Sequence, residues 1–180
     1  PTLADGAVYS MAISCTDAAG NAATAVTRNT ITFDPSAVVI SAVAPAGSSY
    51  QNSTKVSYTL SEACASGNVT WSRTRCNPDA GGAPAGTHVQ ALTAGELLAG
   101  THANITLTNN PTLVDGTIYS VQFNCTDLAA NVSTPITSTN VTYDFTLPVI
   151  SAVAPATSAF VNNQQVSYTL SEQCASGNIN

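Results

Sequence analysis

Apolar and polar residues alternate along short stretches of the chain. In KVSYTLSEAC, Val56, Tyr58 and Leu60 are separated by Ser57 and Thr59; in TIYSVQFNC, Tyr119, Val121 and Phe123 are separated by Ser120 and Gln122. Successive side chains of a strand point to opposite faces, so each stretch predicts a strand with one apolar face. The stretches are bounded by clusters of Gly, Asn, Asp and Pro, which punctuate strands with turns. Helical spacing is confined to HVQALTAGELLAG at 88–100, the one candidate helix. The pattern as a whole predicts an all-β fold.

The chain also repeats itself. PTLADGAVYSMAISCTDAAGN at 1–21 returns as PTLVDGTIYSVQFNCTDLAAN at 111–131, VISAVAPA at 39–46 returns at 149–156, and VSYTLSE at 56–62 returns at 166–172. Each match is displaced by 110 positions, and residues 1–70 aligned on 111–180 share 38 identities without a gap. A period of 110 exceeds a solenoid turn and matches the size of one β-sandwich, so tandem autonomous domains are expected. The breaks fall at TFDPSAVVI (32–40) and TYDFTLPVI (142–150). Proline lacks a ladder donor and holds its predecessor extended, which suits a stiff joint. The expected organisation is a complete domain at 36–145, preceded by the C-terminal part of one repeat (1–35) and followed by the N-terminal part of the next (146–180), an excerpt from a longer array.

Four motifs carry a family resemblance: the YTLSE strand; the DG-x-x-Y-x-V strand start of Asp115, Gly116, Tyr119 and Val121; the C-T-D-x-A-x-N turn of Cys125, Asp127 and Asn131; and the YD-x-x-x-P joint. Together they resemble the bacterial immunoglobulin-like repeats of large secreted and cell-surface proteins. The resemblance implies an immunoglobulin-like β-sandwich in tandem repeats, serving as the stalk of an adhesin, a surface layer or an extracellular filament. Two departures stand out. Val38 occupies the position of Pro148, so the two joints need not share one geometry, and cysteines are unusual in such repeats, which points to mechanical or chemical stress.

Parity carries Cys64 to the face of Val56, Tyr58 and Leu60, and Cys125 to the face of Tyr119, Val121 and Phe123, leaving Asn124 outward. Two inward cysteines on the second and next-to-last strands point to the bridge between the sheets of an immunoglobulin-type sandwich, with Trp71 on the following strand packed near it. Such a closure stabilises by about 4 kcal/mol in the chain-entropy model. Two other readings stay open: buried thiols acting as small hydrophobes in a reducing compartment, and a Cys64–Cys76 bridge. Cys76 falls out of phase with Val69 and Trp71, so it is placed outward or in the loop after it, to cross-link, to pair elsewhere or to stay free. Cys15 and Cys174 correspond to Cys125 and Cys64; an interchain bond between them is not required, although a lateral assembly could use it.

Composition narrows the role. Hydrophobic residues make up 44% of the chain but charged ones only 8%, and 25 Thr and 19 Ser stand against 4 Lys plus Arg and 10 Asp plus Glu, for a net charge of -6. Phosphate binding needs clustered cations, so nucleic acid is excluded as a partner. No apolar run approaches the ~20 residues of a membrane span, and the apolar fraction is too high for disorder. His88 and His102 sit outside any metal or triad spacing and read as solvated loop residues, so no catalytic residue and no enzyme are expected. Calcium is the metal with a foothold, at the joints through Asp34 and Asp144, although Asp115, Asp127 and Asp144 also suit turn or joint capping; no obligatory cofactor is expected. Six sequons open at Asn52, Asn68, Asn104, Asn124, Asn131 and Asn140, with Asn52, Asn68 and Asn131 placed in loops.

Two functions compete on these grounds. The leading one is a non-catalytic structural segment of an extracellular filament, sheath or stalk, partnered by further copies of the same repeat, since a hydroxyl-rich surface packs with little ion desolvation. The other is an adhesin repeat that binds a glycan or host protein through Tyr50, Trp71 or the loop 77–103. Both place the chain outside the cell or on its surface.

Overall fold

The computed structural model describes residues 1–76 and 86–180. The expectations for the Cys76 side chain, for Asp79 and for the rest of 77–85 lie outside the described residues. Among those residues the fold is all-β, with no helix. β1 (Ala7–Ile13) and β2 (Val26–Phe33) pair as an antiparallel ribbon. Residues 36–145 hold two sheets. One has β3 (Ile40–Ala44), β5 (Val56–Leu60) and β8 (Gly100–Ile105) in that order; the other has β4 (Tyr50–Gln51), β10 (Ile136–Tyr143), β9 (Thr117–Asp127), β6 (Cys64–Cys76) and β7 (Thr87–Ala91). β4 runs parallel to β10, and every other pairing is antiparallel. β11 (Ile150–Ala154) and β12 (Ser167–Leu170) form a second ribbon.

The two central sheets share one apolar core, the arrangement of a β-sandwich. β5 supplies Val56, Tyr58 and Leu60, and β9 supplies Tyr119, Val121 and Phe123, all buried as their alternation predicts. Each such side chain removed from water contributes roughly 1.5–3 kcal/mol. Tyr58 spans the layers, stacking on His102 of β8 at 4.7 Å and tilting against Phe123 of β9 at 6.1 Å. Trp71 is fully buried on β6, its ring edge-on to Tyr119 at 6.0 Å.

Cys64 and Cys125 form a disulfide with Cα atoms 6.1 Å apart, but the bridge lies within one sheet and not between two. The parity count that carried Cys64 along with Val56 assumed an unbroken strand. In the structure β5 ends at Leu60, and the chain crosses to the other sheet over 61–63, with the Ser61 N–H bonded to the Val39 carbonyl at 3.1 Å. Cys64 therefore opens β6, opposite Asp127 of β9, and Cys125 lies opposite Gly67. Gly67 permits that closeness, since a Cβ there would meet the Asn124 carbonyl oxygen at 2.9 Å. Such a buried disulfide fits an oxidising environment.

The candidate helix at 88–100 is a strand followed by a single turn. Thr93 and Glu96 form a capping box, with Glu96 Oε2 accepting the Thr93 N–H at 2.7 Å, the signature that makes the sequence look helical. Propagation stops because the carbonyls of that turn are taken elsewhere: Leu97 by the Cys64 N–H at 2.9 Å and Glu96 by the Tyr58 hydroxyl at 2.8 Å.

Backbone irregularities recur with the sequence. β1–β2 pairs Tyr9 with Ile31 and Met11 with Arg28, and β9–β10 pairs Tyr119 with Val141 and Val121 with Ser138. Both ribbons bulge at the same place, where Thr30 and Asn140 adopt φ of 56° and 57°. β3–β5 and β11–β12 likewise match, Ile40 opposite Leu60 and Ile150 opposite Leu170.

Candidate functional site

Polar residues that recur at the repeat spacing meet where the chain passes from β2 to β3 and from β10 to β11. At the Asp-Gly turn before β9, Gly116 takes φ of 66°, a conformation costly for a side chain, and feeds the chain into the strand. Asp115 then reaches the segment after β10, its carboxylate accepting the Phe145 N–H at 2.9 Å and the Thr146 hydroxyl. Those donors, Thr146 above all, hold its carboxyl below the usual aspartate range. Asp5 accepts the Ser36 hydroxyl in the equivalent place at the first joint.

The second component is the turn at the end of β9. Asp127 accepts the backbone N–H groups of Ala129 and Asn131, each at 2.8 Å, and the Asn131 side-chain amide at 2.9 Å. Burial pushes this carboxyl up, and the donors of Asn131, Ala129 and Ala130 more than offset it, so it settles below the usual range. Asp17, Ala19 and Asn21 repeat the same three bonds. The Asn131 amide nitrogen also lies 2.9 Å from the Asp34 carbonyl and 3.2 Å from that of Ser36. The β9–β10 turn thus clasps the segment entering β3.

The third component is a carboxylate cluster. Asp34 from the end of β2, Glu62 from the β5–β6 bend and Asp127 from β9 place carboxylate oxygens within 4.8 Å of one another. Burial first, and then the charges of Asp34, Asp127 and Asp5, push the Glu62 carboxyl above the usual range. The cluster can hold a proton or offer three of the six to eight oxygens that calcium takes, although Asp127 is already committed to its own turn. Asp34 was expected here, whereas Glu62 read only as a strand-end residue; its recurrence as Glu172 was the available signal. Asp144, the other expected ligand, lines an open cleft of about 460 Å³ together with Glu172 at the second joint. One Glu172 oxygen there is shielded from solvent and has no partner among the described residues.

The remaining expected sites are scattered. Asn52, Asn104 and Asn140 are exposed. Asn68 lies on β6 and not in a loop, directly opposite Asn124 of β9, both half-buried. Asn131 is unsuited to a sugar, because the nitrogen that would carry it is the one holding the joint. His88 and His102 are not loop residues: they belong to β7 and β8 and pack beside Tyr119 and Tyr58, because each follows its strand's inward phase. Trp71, inside the core, offers no surface to a ligand, which leaves Tyr50, 78% exposed, as the accessible one of the two aromatics. No family model, curated protein or solved structure matches the chain.

Proposed function

We propose that this chain is a non-catalytic structural segment of an extracellular filament, sheath or surface stalk, made of immunoglobulin-like sandwiches repeating every 110 residues, with 36–145 as a whole unit between parts of its neighbours. The observation that carries the reading is the clasp: Asn131 binds the backbone of Asp34 and Ser36, while the Asp5–Ser36 bond recurs as Asp115–Thr146. Contacts spent on the orientation of one unit against the next serve an object whose function is length and stiffness. The immunoglobulin-like assignment is supported by the corner bond at the start of β9, where the Val114 N–H donates to the Tyr119 hydroxyl at 2.9 Å, repeated by Ala4 and Tyr9 at 2.7 Å. The intrasheet disulfide departs from that architecture, and the bridge argues for an oxidising, extracellular setting.

X-ray scattering from the full chain tests the proposal. The expected profile is that of a rod one sandwich wide, and N131A combined with D115A should convert it into a bending chain. A wild-type chain that scatters as a compact globule or a broad ensemble of bends overturns the scaffold. Specific retention of the chain on a glycan array would favour the adhesin reading instead.

A further inference from the structure

The ribbon β1–β2 and the segment from β11 onward each carry an apolar face with nothing on it, and the central unit shows what covers both. Val121 and Phe123 of β9 are buried, whereas their counterparts Met11 and Ile13 of β1 are 46% and 59% exposed. Val56 and Tyr58 of β5 are buried, whereas their counterparts Val166 and Tyr168 are 49% and 51% exposed. Within the central unit these two sets of residues share one core. The face missing from β1–β2 is therefore the face that β11–β12 presents, and the reverse.

Backbone complementarity points the same way. β1 pairs with β2 alone, leaving its other edge open. On the matching edge of β9 lies β6, whose first residues CASGNVT recur as CASGNIN at 174–180. The pairing of Gly67 with Cys125 and of Val69 with Phe123 translates to Gly177 with Cys15 and Ile179 with Ile13. Ile179, 67% exposed, would enter the core as the fully buried Val69 does. Cys15 and Cys174, free here, translate onto the bonded pair Cys125 and Cys64. The exception on this face is Arg28, which stands where Ser138 is buried and must turn its charged end to the rim.

We infer that copies of this chain join head to tail: β11–β12 and residues 174–180 of one copy cover β1–β2 of the next, and a Cys15–Cys174 disulfide locks the contact. In a glutathione buffer, one cysteine thiolate attacks glutathione disulfide and releases one glutathione; the partner cysteine then displaces the second, so two thiols are oxidised and one glutathione disulfide is reduced to two glutathiones. This deepens the scaffold reading by naming its contact, and rests on that reading only for its purpose.

The test uses the full chain carrying C76S, so that the bonds read are those of the four other cysteines. Light scattering over a concentration series should show growing multimers, and oxidation by glutathione disulfide should give a covalent ladder with a Cys15–Cys174 linkage in the peptide mass map. C15S mixed with C174S should stop at covalent dimers. Y168D, on a surface that the central unit does not use, should weaken association at least tenfold while leaving the thermal transition unchanged. A chain monomeric at every concentration, Cys15–Cys15 or Cys174–Cys174 linkages in place of Cys15–Cys174, or Y168D multimers as strong as wild type each overturn the inference. A monomer that still scatters as a rod sinks this contact and leaves the scaffold reading standing.

Discussion

Replacing Glu96 by Gln preserves shape and removes one charge from a half-closed turn. Both carboxylate oxygens are in use: Oε2 accepts the Thr93 N–H at 2.7 Å and its hydroxyl at 3.0 Å, and Oε1 accepts the Thr108 N–H at 2.7 Å and its hydroxyl at 3.1 Å. A glutamine oxygen can serve one threonine, but its NH2 group then faces the N–H of the other. Hydrogen bonds to a charged acceptor contribute about 1.5–3 kcal/mol. Thr108 is exposed, so its N–H can turn to water, and the net loss is close to one such bond, about 2 kcal/mol. The turn is tied to β5 through Tyr58 and to β6 through Cys64, so the loss falls on global unfolding and not on local fraying.

Urea unfolding of the full chain, followed through the single tryptophan, Trp71, measures the effect. With a slope of roughly 2 kcal/mol/M the E96Q midpoint should fall by about 1 M at neutral pH. The pH dependence has a definite sign. Burial pushes the Glu96 carboxyl up, but the four donors overcome it and hold it below the usual range. A depressed folded value means stability that is present above the ordinary glutamate range and lost as the pH falls through the folded value. E96Q carries no such group, so the gap between the two proteins should close in acid. A gap under about 0.5 kcal/mol at neutral pH, or one of the same size in acid, refutes the assignment of Glu96 as the acceptor that closes this turn.

The other predictions use the same full chain. Removing the bridge with C64S and C125S, which opens a loop spanning 61 residues, should cost about 4 kcal/mol in urea, and an unchanged midpoint would mean that the thiols are not bonded. Glu62 behaves oppositely to Glu96: its folded value is raised, so its contribution favours folding in acid and is lost as the pH rises from the ordinary glutamate range through the folded value. E62Q should therefore raise the melting temperature at neutral pH, with the advantage vanishing below the ordinary range; a lower melting temperature would show that Glu62 is held by a favourable partner. Expression in a glycosylating host followed by peptide mapping should find sugar at exposed Asn52 or Asn104 and none at Asn131, and an occupied Asn131 would contradict the clasp.

What could be read from the sequence divides by the range of the interaction. β9 was legible in full because an eleven-residue strand buried on alternate positions leaves a strict binary pattern. The Cys64–Cys125 pair was anticipated, but its placement across the sheets failed, because a three-residue crossing between β5 and β6 keeps the parity of an uninterrupted strand and hides the change of layer. Thr93 and Glu96 wrote a local capping signal that long-range contacts cut to one turn. At the joint, Asp34 could be suspected from its place beside a proline, but Glu62 could not: its partners come from three elements, and only the fold brings them together.

The acids also answer why so few charges suffice. Of the ten in the chain, six accept hydrogen bonds from nearby turns or joints: Asp5, Asp17, Asp34, Glu96, Asp115 and Asp127. They act as acceptors fixed to particular donors and not as a solvated coat. The outward positions of β10 are instead filled by Thr137, Thr139 and Asn140, which keep water close without long-range repulsion. Two such surfaces can meet without stripping water from ions, a cost of several kcal/mol per buried charge. A chain so constructed has little electrostatic defence against its own copies. Where it exposes Met11, Ile13, Val166 and Tyr168 as well, self-association is the outcome its surface chemistry favours, and adding charge to those positions should raise solubility as it lowers association.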